Sequence, residues 1–576
     1  MPELTGAQII ARALKQQGCE TMFGIVGFPV FGLAAAAQAE GIRYYGFRNE
    51  QAASYAAGAV GYLTGRPGVC LSVSGPGMVH AIAGLSNAWA NNWPMLLLGG
   101  ANDSYQNGSG AFQECPQIEA ARPFTKYAAR PDSVRRLPEF VEQAVRTSMY
   151  GRPGASYLDL PNDLLVGKAP VGEAEDGEGA SAGVRWPPQC PPPPRPLADP
   201  AQVALACDAL EGAERPLVIV GKGAAYACAH QEVRRFLERT GLPFLATPMG
   251  KGVVPDDHPQ SVAAARSFAL READVVLLVG ARLNWMLHFG RAPRWAEGVK
   301  VLQVDLCAEE IGSNVPCAAA MVGDARQVAR QLDEEMAARG WRHAGVEVPE
   351  ETGSGEQPAV AGSPWWTALR RQVEENERAV EAMLQDDSEP MGYFRALREL
   401  RDLLPRDAIV VSEGANTMDI SRTVLPNFVP RSRLDAGTFG TMGVGLGLAI
   451  AAAVTHPQRK EVAVEGESAS GFSGMEIEVA CRYKLPITVV ILNNNGITSG
   501  LEDTDTEPVL PWVYTARARY ELLAEAFGGL GLYVERLADL RPALERALAS
   551  DRPAIVNVII DPKARRKPQK HDWLTR

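Results

Sequence analysis

Short apolar runs rich in β-branched residues alternate with Ala-rich helical stretches along the whole chain, and this alternation does most to limit the folds open to it. A strand followed by a covering helix and a second strand builds a parallel sheet with helices on both faces. Residues 69–73, 95–98, 217–220, 275–279, 301–304 and 487–492 read as such strands, in about three sets. A chain of 576 residues is also too long for one hydrophobic core. The expected fold is α/β, with three doubly wound domains built on parallel sheets.

Two stretches interrupt the pattern and have the composition of connectors. Residues 172–200 are first acidic and Gly-rich, then Pro-rich (WPPQCPPPPRP), and residues 346–363 (VEVPEETGSGEQPAVAGS) hold few bulky apolar side chains. They divide the chain into 1–171, 196–341 and 366–576. The net charge of -11 disfavours nucleic acid and anionic membrane as partners, so any phosphorylated ligand must be held by a local site. The nine cysteines include no C-x-x-C pair and read as reduced. The start reads as an amphipathic helix with Thr5 as N-cap and Gly18 as stop, not as a signal peptide. No apolar run reaches the roughly 20 residues that span a bilayer. A cytoplasmic protein is expected.

Residues 464–497 (VEGESASGFSGMEIEVACRYKLPITVVILNNNGI) carry the most chemistry. An apolar strand ends at Gly466, a helix is expected over 472–482, and a second strand ends at Asn493. A right-handed crossover returns the chain to the same edge of the sheet, so Glu467 and Asn494 should lie close together. A carboxylate, an amide oxygen and a backbone carbonyl are hard ligands suited to Mg²⁺, which keeps phosphate oxygens in its remaining positions. A second pattern is FRNEQAA, in which Glu50 opens an Ala-rich helix. A lone glutamate there is otherwise a favourable partner of the helix dipole.

The 464–497 segment resembles the thiamine-diphosphate (ThDP) signature, a Gly-Asp pair followed across one strand-helix-strand unit by Asn-Asn. The resemblance implies a ThDP-binding fold, with Glu467, Asn494 and the Gly496 carbonyl as ligands of Mg²⁺ and with Ser468 and Ala469 beside the cofactor. Glu467 stands where the family has Asp. By the same resemblance Glu50 is catalytic and hydrogen-bonds the pyrimidine ring, and Asn416 and Thr417 of SEGANTMDI contact the diphosphate. In LDAGTFGTMGVGLG, the Gly440 carbonyl meets the aminopyrimidine and Met442 wedges the cofactor. Close helix packing at Gly443, Gly445 and Gly447 is the alternative reading of that segment. The three stretches then become a pyrimidine-binding, a central nucleotide-binding-like and a diphosphate-binding domain. In this superfamily the pyrimidine and the diphosphate are held by different subunits, which implies a homodimer or homotetramer with sites at subunit interfaces.

Across nearly its whole length the chain resembles the 2-hydroxyacyl-CoA lyase family, with oxalyl-CoA decarboxylase a near relative. FGIVGFPV, GRPGVCLSVSGPG, GAFQECPQIEA, ATPMGKGVVPDDHP, GARLNWMLHFG, GFSGMEIEVACRY and DWLTR carry the likeness. It implies cleavage of a 2-hydroxyacyl-CoA to an aldehyde and formyl-CoA, and the reverse condensation, with an acyl-CoA and a small aldehyde as partners. The cofactor, not a protein nucleophile, carries that chemistry. Oxalyl-CoA decarboxylases have Tyr-Glu where this chain has Phe112 and Gln113, and a lyase must accept an uncharged aldehyde. Phe112 and Gln113 therefore favour the lyase, with Phe28 facing the same pocket; each is otherwise a core residue. Arg266 and Ser267 are expected to hold the CoA nucleotide, and the central unit ADP or another adenine nucleotide. GKGAAYA, with Tyr226 in the third place of a dinucleotide fingerprint, is a weak motif. His80 and His288 read as structural histidines. Thr498 stands where relatives have tyrosine, and residues 501–519 look shorter than the family's loop. The alternatives are an oxalyl-CoA decarboxylase and a non-catalytic homologue that has kept the ThDP fold.

Overall fold

The computed structural model describes residues 2–171, 183–343, 363–502 and 507–566. The acidic part of the first connector, nearly all of the second and the terminal DWLTR lie outside the described residues.

Strands β1 (Glu3–Thr5) and β8 (Lys168–Pro170) form a short antiparallel pair. Between them β2 (Thr21–Gly24), β3 (Arg43–Gly46), β4 (Gly68–Ser72), β5 (Met95–Ala101), β6 (Tyr127–Ala129) and β7 (Ala155–Pro161) make a sheet in the order β3-β2-β4-β5-β7-β6. The central sheet has β9 (Pro216–Val220), β10 (Phe244–Ala246), β11 (Val275–Val279), β12 (Lys300–Asp305) and β13 (Cys317–Val322), ordered β10-β9-β11-β12-β13. The third has β14 (Ile409–Glu413), β15 (Arg433–Asp435), β16 (Glu461–Gly466), β17 (Thr488–Asn493), β18 (Leu530–Val534) and β19 (Ala554–Ile559), ordered β15-β14-β16-β17-β19-β18. Every pairing in these three sheets is parallel. The inner strands are continuous apolar runs such as VVLLV in β11, buried throughout because helices cover both faces.

Each sheet reverses its winding beside its first strand, between β2 and β4, between β9 and β11, and between β14 and β16; the first and third turn back again at the far edge, where β7 lies inside β6 and β19 inside β18. In a doubly wound sheet, the crevice beyond the C-terminal ends of the strands at the reversal beside the first strand is where ligands lodge. The fold thus offers three crevices.

The first and third sheets share one apolar cluster, in which the helices Glu50–Thr64 and Gly445–Thr455 lie side by side. The two approach so closely that a Cβ on Gly447 would stand 2.7 Å from the Ala52 carbonyl. The helix Pro364–Leu384 packs on the central sheet: the Trp365 indole donates to the Pro216 carbonyl at 2.9 Å and that of Trp366 to Gly241 at 3.2 Å. Among the described residues no helix is long and apolar enough to cross a membrane.

One expected element differs. In place of a single helix over 472–482 there are a helix Glu467–Ser473, a 3₁₀ turn Gly474–Glu476 and a helix Ile477–Arg482. The chain turns helical directly after β16 because an acidic residue suits the first turn, and Gly474, a poor helix former, breaks it.

Candidate active site

At the reversal of the third sheet, β14 leads through Gly414 into the helix Ala415–Val424, and β16 ends at Gly466 before the helix that Glu467 opens. Asn416 and Thr417 therefore stand on one side of the crevice, and Glu467, Ser468 and Ala469 on the other. A Cβ on Gly466 would lie 3.3 Å from Thr417 Oγ1, and one on Gly414 3.3 Å from the Gly466 nitrogen. Side chains at these two positions would fill the crevice.

Glu467 is buried. Its Oε1 accepts from the Gly496 N–H at 2.6 Å and its Oε2 from the Asn494 N–H at 3.4 Å, so the crossover does bring the expected residues together. Burial pushes the Glu467 carboxyl up to about 7 against the pull of these amides. The Asn494 Nδ2 donates to the Thr498 carbonyl at 3.2 Å, and Asn416 Nδ2 reaches the same oxygen at 2.8 Å. With its nitrogen committed, the amide oxygen is what Asn494 has to offer a cation.

The loop that follows β15 carries Gly440 and Met442, both exposed, and it is fixed at both ends. On one side Glu413 accepts from the Gly443 N–H and, at 2.5 Å, from Gly445. On the other, Thr438 gives its N–H to Asn91 Oδ1 at 3.1 Å, takes the Arg282 guanidinium on its hydroxyl at 3.2 Å and accepts the Trp285 indole on its carbonyl at 2.8 Å. Asn91 Oδ1 also accepts from Lys222 Nζ at 3.1 Å. Side chains from the first and central units thus hold a loop of the third.

At the reversal of the first sheet, Phe28 lies beyond β2 and the turn Ser74-Gly75-Pro76 beyond β4. The rings of Phe28 and Phe112 meet edge to face with centroids 6.0 Å apart, both open to the surface. Gln113 Oε1 accepts from the Ser74 hydroxyl at 2.9 Å, which fixes it beside the same turn. Glu50 opens its helix after Asn49, whose side chain caps the Gln51 N–H at 2.7 Å. The helix Pro76–Asn91 brings His80 Nδ1 to 3.2 Å from Glu50 Oε2. His80, expected as a satisfied structural histidine, is instead 59% exposed and its partner is the very glutamate singled out from the sequence. No local signal could reveal this, because the pair forms only where two helices cross.

In the central unit Arg266 is directed inward, onto the Met286 carbonyl and to 3.4 Å from His288 Nε2, while Ser267 is exposed. His288 is buried, and burial with the nearby Arg266 pushes its imidazole down to about 4, as suits a structural histidine. At the reversal of the central sheet opens a cavity of about 390 Å³. Lys222, Arg282, Arg152 and Asp305 line it, and Pro192 to Pro194 of the first connector form one wall. The proline-rich run is therefore part of a site as well as a connector, which its composition alone did not convey.

Comparison with known proteins assigns the three units to domains. The chain matches the models "Thiamine pyrophosphate enzyme, N-terminal TPP binding domain" over 4–120, "central domain" over 203–332 and "C-terminal TPP binding domain" over 413–558. It is 48% identical to 2-hydroxyacyl-CoA lyase 1 of Homo sapiens over 100% of this chain and 97% of that protein. The chain belongs to the 2-hydroxyacyl-CoA lyase family. This lyase-family member is likewise 44% identical to the 2-hydroxyacyl-CoA lyase of Oryza sativa subsp. japonica, over 98% of the chain and 96% of that protein. It is 42% identical to the oxalyl-CoA decarboxylase of Escherichia coli (strain K12), over 97% and 95%. Membership makes it a ThDP-dependent carbon–carbon lyase, and the reversals of its first and third sheets fall within the two matched TPP-binding domains.

Proposed function

We propose that this enzyme cleaves a 2-hydroxyacyl-CoA to an aldehyde and formyl-CoA, and condenses the two in reverse. Kinship over the full chain supports the reaction class, and one observation favours the lyase over the decarboxylase: Phe28, Phe112 and Gln113 form a face without a charged side chain, which suits an uncharged aldehyde.

The crevice of the third sheet suits a diphosphate with Mg²⁺. Glycine leaves it free of side chains, and a carboxylate, an amide oxygen and a backbone carbonyl are the donor set the cation prefers. Glu467, Asn494 and Gly496 hold the metal, and Asn416, Thr417, Ser468 and Ala469 line the diphosphate. Glu50 holds a proton at the pyrimidine ring, while Gly440 and Met442 shape the cofactor from the loop clamped by Glu413 and Thr438. ThDP supplies the carbanion stabilisation that C–C cleavage needs.

Ser267 serves the CoA nucleotide from an exposed position, and Arg266 would have to leave the Met286 carbonyl to join it. An adenine nucleotide such as ADP fits the central cavity, which lies in the range of small-ligand sites. Its buried Lys222, held well below the ordinary lysine value by burial and by Arg282, would be relieved by a phosphate. The exposed Phe28, Phe112, Phe439, Met442 and Phe472 favour a homodimer, or a pair of dimers, with sites at the interface. Nine cysteines, none of them in a disulfide, suit the cytoplasm.

Purified protein given ThDP, Mg²⁺, formyl-CoA and formaldehyde should form a two-carbon 2-hydroxyacyl-CoA. Carbon dioxide released from oxalyl-CoA at a greater rate would move the assignment to the decarboxylase, and failure to bind ThDP by calorimetry would mark a non-catalytic homologue.

A further inference from the structure

The two oxygens of the Glu50 carboxylate face different surroundings. Oε1 lies against the turn into the helix Pro76–Asn91, where a Cβ on Gly77 would stand 3.0 Å away. Oε2 lies 3.2 Å from His80 Nδ1. In the single chain the Glu50 side chain is 12% exposed and that of His80 59%, so the imidazole is the more open member of the pair. Cys70 on β4 also feels Glu50, but burial keeps that thiol protonated, so it has no part in proton exchange.

We propose that His80 is the proton-exchange partner of Glu50, refilling its carboxyl between turnovers. The inference rests on the reading of Glu50 given above. When Glu50 has passed its proton on to the reacting centre, an imidazolium at His80 transfers one across the contact: the Nδ1–H bond breaks and the Oε2–H bond forms, and the proton that cleavage takes from the substrate hydroxyl leaves to solvent, so the cycle closes with no net uptake. The neutral imidazole then regains a proton from water or buffer at its open side, so no oxidant or further reactant is needed. His80 acts through Glu50 and is a positioning and exchange residue, not one that meets the substrate.

Two measurements test this. In ¹⁵N spectra of the cofactor-free protein, Glu50→Gln should move the His80 ring-nitrogen signals; unmoved signals would overturn the contact and the proposal with it. In turnover assays, His80→Ala and His80→Asn should each lower kcat roughly tenfold or more with little change in KM, and added imidazole should restore the alanine variant. Asparagine keeps a hydrogen-bond donor but carries no exchangeable charge, so a His80→Asn enzyme as fast as the parent would overturn the proposal. So would a slow His80→Ala enzyme that imidazole leaves unchanged. If the alanine variant fails to fold, the asparagine variant and the spectra decide. Parallel assay of Glu50→Gln separates the two readings: a fast Glu50→Gln enzyme removes the premise, whereas a dead one beside a fast His80→Asn enzyme overturns the inference alone.

Discussion

Glu413 and Glu465 stand opposite each other on paired strands, β14 and β16, both buried. Glu413 receives the amides of Gly443 and Gly445, whereas Glu465 has only the Ser470 hydroxyl to favour its charged form. Burial, with the other carboxylate adding to it, pushes Glu413 up to about 8; burial pushes Glu465 up to about 7. The folded protein therefore keeps protons that the unfolded chain has released. The stability linked to them is complete below the ordinary carboxylate value and is lost as pH rises through the raised values. Thermal midpoints of the cofactor-free protein should fall between about pH 5 and about pH 8, and Glu413→Gln should flatten that fall. An equally steep fall in the variant would show that Glu413 is not protonated in the fold.

Glu50→Gln keeps the size of the side chain but cannot share a proton. ThDP binding, read by calorimetry, should stay near that of the parent, while turnover should drop by about a hundredfold. Retention of more than about a tenth of the activity would remove Glu50 from the mechanism.

Gln113 is tied to Ser74 beside the uncharged face. Gln113→Glu places there the glutamate expected of an oxalyl-CoA decarboxylase, and carbon dioxide release from oxalyl-CoA should rise at the expense of lyase turnover. No gain would mean that discrimination between the two substrates lies elsewhere.

Glu467 has one methylene more than the aspartate of the family signature, and Mg²⁺ tolerates little deviation from distances near about 2.1 Å. Glu467→Ala should abolish tight binding of ThDP and Mg²⁺ in calorimetric titration. Glu467→Asp should change both affinities together, upward if the longer side chain crowds the cation and downward if the backbone at Gly496 has already adapted to it. Unchanged binding in the alanine variant would show that Glu467 is no ligand.

What could be read from the sequence was what is encoded locally. The strand-helix-strand around Glu467 and the helix start at Glu50 follow from apolar periodicity and a cap, and both form, although the helix after β16 begins at Glu467 rather than at 472 and breaks at Gly474. Contacts between distant segments left no such trace. His80 meets Glu50 only through the crossing of two helices, Glu465 faces Glu413 only through strand register, and the central cavity needs two sheet ends and a proline run together. The inward turn of Arg266 depends likewise on the Met286 carbonyl, which no spacing in the sequence announces.

Asn91 accepts from Lys222 on one side and from the Thr438 amide on the other, while Arg282 reaches the Thr438 hydroxyl. Two cations of the central cavity are thereby fastened to the loop that carries Met442. A molecule that draws Lys222 or Arg282 toward itself would pull on that loop, and free-energy coupling of this kind runs equally in both directions. By whatever factor an occupant of the cavity changes the grip on the cofactor, the cofactor changes the grip on that occupant.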